Sequence, residues 1–387
     1  MVKKINRYAG KCFFILTSFI LTACISEDKP ESINLTQNDS VSLSDVFSDV
    51  RVIQLESTQE SLLSTIGRVK YYNGRYYVMD RGSAIFCFDN NGEFIYKIAA
   101  QGKGPGEYTY ISAFTIDRFN NQIIIGDPAT QRILIFDMAG NFIADHRIEM
   151  DEIMSYNRLF AINDTVLLIH SFNHYQLVFY SLNEEKVIHT DYPILHDSGS
   201  FSPWLNVYQS GERTYVLPNL GQDVMDVTEI NPVKHFTWDF GDNNNTEKQI
   251  DKLINLLEED HYDGCVHEAV GRDKLLNHYF IWLHETDRFR VAVVEFDNAF
   301  KHIIIDNQTN EVHVFDYFKE GVSLALSSVY DNKIITSEHR GRPIYKEMGR
   351  EVPYFSNDHL PEDYRQIIDA HNIEIDNPFI VVYTFKE

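Results

Sequence analysis

A strand–strand–turn–strand pattern occurs twice near the start of this chain, displaced by 48 residues. Arg75–Asp80 and Ala84–Asp89 lead into the turn Asn90-Asn91-Gly92 and the run Glu93–Ile98. Gln122–Asp127 and Arg132–Asp137 lead into Met138-Ala139-Gly140 and Asn141–Ala144. Phe88/Phe136, Asp89/Asp137, Gly92/Gly140 and Phe94/Phe142 all hold the same offset. Short β-branched and aromatic runs joined by glycine-bearing turns specify antiparallel hairpins. A period of about 40–50 residues with some four strands per unit is the signature of propeller blades, because a single blade cannot bury its own faces.

Four looser units follow. The third is Thr165–His170, Gln176–Tyr180 and Lys186–His189, and the fourth Arg213–Leu217, Asp223–Glu229 and His235–Phe240. The fifth is Tyr279–Leu283, Phe289–Phe296 and His302–Ile305; Lys333–Thr336 opens the sixth, and Pro378–Phe385 supplies a strand at the C-terminus. Arg51–Leu55 has no hairpin partner nearby. A propeller must close its ring or leave raw sheet edges, so this strand is expected to complete the blade formed by the C-terminal strand. The fold class expected is therefore all-β: a six-bladed β-propeller over residues 46–387, with one short helical insertion. That insertion is Thr246–Asp260, where Ile250, Leu253, Ile254 and Leu257 recur at helical spacing and Thr246 with Gln249 fits a capping box. Pro361–Ala370 is a second, shorter helical candidate.

The first residues set an address. Lys3, Lys4, Arg7 and Lys11 precede or open the apolar run Cys12–Leu21, the layout of a secretory signal and too short for a membrane span of roughly 20 residues. Leu21-Thr22-Ala23-Cys24 resembles the lipobox of bacterial lipoproteins. The resemblance implies lipidation of Cys24, removal of residues 1–23, and anchoring through acyl chains worth about 0.8 kcal/mol per buried CH2. Losing the four leader cations takes the formal charge of the chain from −23 to −27. Residues 24–45 are polar on the whole and are expected to act as a tether. Ile25 after the cysteine does not indicate inner-membrane retention, and Glu27 with Asp28 resembles a short acidic surface-export signal.

Together with that leader, the strand Val52–Glu56, the loop Gly102-Lys103-Gly104-Pro105-Gly106-Glu107-Tyr108 and the closing run Asn377–Phe385 carry a wider similarity. The chain resembles the six-bladed, NHL-like β-propeller lipoproteins of gut Gram-negative bacteria. The resemblance implies an outer-membrane lipoprotein on the periplasmic or surface-exposed face, and leaves the activity open.

Composition limits the function classes. With 57 acidic against 34 basic residues, a nucleic-acid partner is not expected, since phosphate binding needs a basic footprint. The Gly102–Tyr108 loop lacks the order of a phosphate-binding loop and no helical pattern follows it, so it reads as an inter-blade crossover. Were it to line a mouth of the central channel, Lys103 and Glu107 would be its polar contacts.

His261, Asp263, Cys265, His267 and Glu268 gather metal-ligand chemistry within eight residues, yet no second pair at zinc-site spacing accompanies them; a polar loop is the reading taken. Cys87, within an apolar run, reads as a buried thiol rather than half of a disulfide with Cys265. Phe201–Trp204 offers aromatic rings that could stack on sugars or peptides, but filling of blade layers is the plainer role. No GxSxG or cysteine–histidine signature is present, and no catalytic residue, metal site or cofactor is assigned.

The function expected is a non-catalytic binding module anchored to the membrane, with glycan, peptide or a partner lipoprotein as candidate ligands. The alternative is a glycan- or peptide-directed lyase or hydrolase acting in the central channel.

Overall fold

The first strand, β1 (Phe47–Gln54), pairs with the last strand of the chain and not with its own successor. Around that closure a computed structural model describes residues 32–148, 156–194, 206–218, 220–259, 261–262, 264–324, 328–338, 360–372 and 374–387. These residues form six four-stranded antiparallel sheets, the blades of a propeller.

Blade I holds β2 (Ile66–Tyr72), β3 (Arg75–Asp80), β4 (Ala84–Asp89) and β5 (Phe94–Ile98). Blade II holds β6 (Ala113–Asp117), β7 (Gln122–Asp127), β8 (Arg132–Asp137) and β9 (Phe142–Arg147). Blade III holds β10 (Tyr156–Ala161), β11 (Val166–Asn173), β12 (Tyr175–Ser181) and β13 (Lys186–Pro193). Blade IV holds β14 (Asn206–Ser210), β15 (Arg213–Leu217), β16 (Asp223–Asp226) and β17 (Val233–Thr237). Blade V holds β18 (His278–Glu285), β19 (Phe289–Phe296), β20 (Ala299–Asp306) and β21 (Val312–Phe315). Blade VI runs β22 (Ser328–Tyr330), β23 (Lys333–Glu338), β24 (Phe379–Phe385) and then β1.

The sequence grammar has a local physical cause. Asp89 accepts from the backbone N–H groups of Asn91 (2.7 Å) and Glu93 (2.9 Å), and Asp137 does the same for Ala139 (2.9 Å) and Asn141 (2.8 Å). Each aspartate thus holds the turn in which Gly92 and Gly140 take φ of +91° and +84°. At Gly92 a side chain is excluded twice over, because a Cβ there would stand 2.2 Å from the Gln54 carbonyl oxygen. Phe88 and Phe136 bury completely or nearly so, 0 % and 2 % exposed, in the layers between blades.

The closure follows the register Val50↔Tyr383, Val52↔Val381 and Gln54↔Phe379. Asn377 secures it from the loop before β24. Its side chain accepts from Leu63 N–H at 2.7 Å and donates to the Glu56 and Ser61 carbonyls at 2.7 and 2.9 Å, while its own N–H reaches Ser57 Oγ at 2.7 Å. Both helical candidates form. After the single turn α1 (Leu43–Val46), α2 (Glu247–Glu258) is capped by Thr246 in the capping box with Gln249, and α4 (Glu362–Ala370) starts after Pro361.

Two expectations are revised. Residues 24–45 were expected to be a polar tether, yet the chain packs on the propeller from Ile33 onward. Ile33 and Leu35 bury against the layer between blades IV and V, and Val41, Leu43 and Val46 against blades V and VI. Backbone bonds from Ile33 N to Asp239 O and from Asp39 N to Val314 O, both 2.7 Å, fasten the segment. Five apolar side chains spaced among serines and acids are enough to dock it, and average polarity conceals them. Residues 24–31 and Cys24 itself lie outside the described residues.

The second revision concerns residues 261–268, expected as a polar loop. A short helix, α3 (Val266–Gly271), starts there, with Glu268 accepting from Cys265 N–H at 3.0 Å. Val266, Ala269 and Val270 bury against α2, and that apolar packing is what selects the helix.

Candidate functional site

The first strands of the six blades, β2, β6, β10, β14, β18 and β22, converge on one cavity of about 180 Å3. Its walls are largely apolar and aromatic: Val69, Phe114, Leu159, Phe160, Val207, Tyr208, Trp282, Leu283, Val329 and Tyr330. The charged groups among its lining residues are all cations, Arg68 and Lys70 from β2 and Arg158 from β10. In a chain of net charge −23 that is a local inversion of sign.

Alternation along β2 places Arg68 and Lys70 on one face of the strand. The Lys70 ammonium lies over three rings from three blades, 5.8 Å from Phe114, 5.4 Å from Phe160 and 5.7 Å from Tyr330. Such cation–π contacts offset part of the desolvation cost. They do not offset all of it: burial, then Arg68, Arg158 and Arg118, pull the Lys70 ammonium down to about 7, against a weak opposing pull from Asp331. Burial and Arg158 lower Arg68 to about 10, and burial lowers Arg158. Both guanidiniums stay charged near neutrality. His170 on β11, also buried and facing Arg158 and Arg68, is pushed down to about 3 and is therefore neutral. Two unit charges about 8 Å apart repel by roughly 2 kcal/mol at an effective dielectric near 20. A cluster of this kind is costly to fold and gives no packing advantage over leucine or methionine.

Tyr330 of β22 lends its ring to the wall. Tyr330 is 9 % exposed, and its hydroxyl is buried with no hydrogen-bond partner among the described residues. A buried phenol normally finds a partner; this one is sealed from solvent and lies toward Arg118, Asp331, Tyr72 and Tyr77.

One end of the channel is latched. Each inner strand passes through a tight turn into the second strand of its blade, and Arg118 sits at that level in blade II. Its guanidinium donates to the Gly211 carbonyl of the blade IV turn at 2.7 Å and to Asp331 of the blade VI turn at 2.9 Å. Nearby, Asn120 donates to the Asp164 carbonyl at 2.8 Å and Tyr72 to Asn121 at 2.8 Å, joining blades II–III and I–II. Three alternate blades thus meet on one arginine across that mouth.

The residues singled out in the sequence fall elsewhere. Glu107 turns back on its own loop and accepts from Gly104 N–H at 2.8 Å, while Arg132 donates to the Gly104 and Glu107 carbonyls at 3.1 and 2.6 Å. Tyr108, fully buried, places its hydroxyl 2.9 Å from the Ser83 and Ile98 carbonyls. The loop is a braced crossover between blades I and II; Lys103 is exposed on it, and neither Lys103 nor Glu107 lines the cavity. The histidine-rich segment disperses: His261 pairs with Glu259 at 3.0 Å, His267 with buried Glu295, and Glu268 with Arg272 at 2.6 Å. Asp263 and Phe201–Trp204 lie outside the described residues. Among the described residues no three His, Cys, Asp or Glu side chains are grouped to hold a metal. Cys87 is a buried free thiol, raised to about 11 by burial between Tyr77 and Tyr96.

Sequence reasoning missed Arg68, Lys70 and Arg158 because the repeat was read from the second strand of each blade. The available signal was Ile66-Gly-Arg-Val-Lys-Tyr-Tyr72, an alternating run with two cations on one face just before a hairpin.

Comparison with solved structures supports the architecture. A Bacteroides fragilis protein provisionally described as exported superposes with a TM-score of 0.68 at 17 % identity, covering 91 % of this chain and 98 % of that one. A member of the DUF4221 family from Bacteroides vulgatus gives a TM-score of 0.52 at 12 % identity, over 88 % and 97 % of the two chains. Both likenesses are of fold alone. No curated protein sequence matches. The family described as "Domain of unknown function (DUF4934)" matches residues 30–384, nearly the whole described propeller, and the chain belongs to that family.

Proposed function

We propose that this protein is an exported, lipid-anchored propeller that binds a small ligand in its central channel. The observation that carries the reading is the convergence of six inner strands on one cavity furnished with cations and aromatic rings. Concave, mostly apolar sites with a few polar groups are where proteins hold small molecules. These groups hold and orient a ligand, which favours a binding module over a lyase or hydrolase. With Arg118 tying three blades together at one mouth, access falls to the other end, where Ser328 begins β22.

The test is a thermal-shift screen of small-molecule fragments against the wild type and Ser328→Trp, which narrows that end. Fragments that stabilise the wild type are expected to lose at least ten-fold in affinity for the variant. Undiminished binding to Ser328→Trp, or a screen without hits, would overturn the reading.

Anchoring rests on the lipobox resemblance at Leu21–Cys24, and on the similarity in fold to a protein described as exported. Cys24→Ala is expected to move the protein from the membrane pellet to the soluble fraction, because the acyl chains are its hold on the bilayer. Retention of the variant in the pellet after a carbonate wash would refute the anchor. Glycans, peptides or a partner lipoprotein remain candidate partners of the exposed faces.

A further inference from the structure

Resting on the channel reading, we propose that Lys70 holds its ligand covalently: its Nζ captures a small aldehyde or ketone as an imine, with the apolar body of that ligand lodged among Phe114, Phe160 and Trp282. The position of the nitrogen carries the inference. It stands 5.8 Å from the ring centre of Phe114, 5.4 Å from that of Phe160 and 5.7 Å from that of Tyr330, and all three rings wall the cavity that Lys70 itself lines. Among the described residues it makes no hydrogen bond or ion pair. Asp331, the carboxylate that acts on it, lies outside the lining and is paired with Arg118 at 2.9 Å. A buried lysine kept for its charge is matched by a carboxylate. One set among rings and cations is suited to work as a neutral amine.

The surroundings set its protonation in the same sense. Burial acts first, then the guanidiniums of Arg68 on the same strand, Arg158 of β10 and Arg118 just beyond β6, opposed by Asp331 just beyond β22. His170 of β11, which faces Arg158 and Arg68, is neutral and adds no charge. The ammonium is thereby brought down to about 7, so about half the molecules carry a free amine at that pH. An ordinary lysine near 10.4 is neutral in roughly one molecule in 2,500 at pH 7. Lysines desolvated in an apolar pocket, or placed beside another cation, are those that act as nucleophiles on carbonyl carbon.

The chemistry closes without a further reagent. The Nζ lone pair attacks the carbonyl carbon, a C–N bond forms, and the carbonyl oxygen takes up a proton lost from nitrogen. The carbinolamine then gives its second N–H proton to that oxygen by way of solvent, the C–O bond breaks, and water leaves as C=N forms. Nothing is oxidised or reduced, and hydrolysis reverses the capture. Size agrees with this class of ligand. A dry cavity of about 150 Å3 takes up one benzene ring, so a site of about 180 Å3 suits one ring or a short branched chain bearing a carbonyl group.

The experiment uses the full chain, equilibrated with benzaldehyde at pH 7, trapped with sodium borohydride and mapped by peptide mass spectrometry. The exposed Lys103 and Lys186 serve as internal references. Lys70 is expected to carry the benzyl adduct at ten-fold or more the level of either reference. Its labelling should saturate with benzaldehyde concentration while theirs rises linearly. Repeated from pH 5 to 9, trapping at Lys70 should reach half its plateau near pH 7 and stay level above pH 8, while the references climb throughout.

The label is located in the wild type, so no variant has to fold. Labelling of Lys70 no greater than that of the references, or a linear dependence there, would overturn the inference. A signal at Lys70 still climbing at pH 9 would assign it an ordinary amine and overturn it equally. If Lys70 stays unlabelled while fragment hits remain sensitive to Ser328→Trp, the inference alone falls; loss of that sensitivity as well would overturn both readings.

Discussion

Removal of residues 377–387 is expected to abolish cooperative folding. β24 is an interior strand of blade VI, bonded to β23 on one side and to β1 on the other, so its loss opens the ring at two seams. Phe379, Ile380, Val381, Val382, Tyr383 and Phe385 are all buried. At about 1.5–3 kcal/mol for each buried apolar side chain, their burial alone contributes roughly 10–15 kcal/mol, which rivals the whole stability of a typical domain of about 5–15 kcal/mol. Asn377 goes with them, leaving the Leu63 N–H and the Glu56 and Ser61 carbonyls without their partner. The strand left behind, β1, would expose an edge that templates association. Urea unfolding of the truncated protein should show no sigmoidal transition, and the product should aggregate. A soluble truncation with a cooperative transition would show that the ring does not depend on this closure.

Lys70→Met is expected to stabilise the protein. In the unfolded chain the ammonium has its ordinary value near 10.4, whereas in the channel it falls to about 7, chiefly through burial and then through three arginines. Between those two values the unfolded state binds the extra proton, so wild-type stability rises with pH across that window. Below about pH 7 the penalty is present in full. Above about pH 10 it disappears. Because Lys70 keeps some access to channel solvent, only part of the nominal shift is counted, and the gain at pH 6.5 is put at roughly 2 kcal/mol. For a chain of this size that corresponds to about 3 °C in Tm. The gain should shrink steadily as melting is repeated up to pH 10. A constant gain at every pH would assign the effect to side-chain packing, and a loss of stability would show that the ammonium is better compensated than its surroundings indicate. Stability gained by deleting a charged group from a cavity is the expected trade where that group serves binding.

The sequence by itself determined the hairpin repeat and both helices, which follow from local rules, and the blade count and ring closure, which follow from the repeat period and from the need to leave no open sheet edge. Asp89 and Asp137 hold their turns through bonds two and four residues away, and Thr246 with Gln249 caps α2 within one turn. Signals of that range survive in the linear order of residues. The docked segment Ile33–Val46 escaped because its five anchors are sparse, and sparse apolar residues bury only where a surface waits for them.

The channel was decided by tertiary structure alone. Arg68, Lys70 and Arg158 are ordinary surface-type residues until two blades bring them together, and the rings over Lys70 come from three other blades, II, III and VI. Nothing in the order of residues records that Tyr330 stands beside Lys70, 260 positions earlier. Closure of the ring turns a dispersed set of cations in an acidic chain into one enclosed site, because the inner strands have nowhere to meet except on the axis.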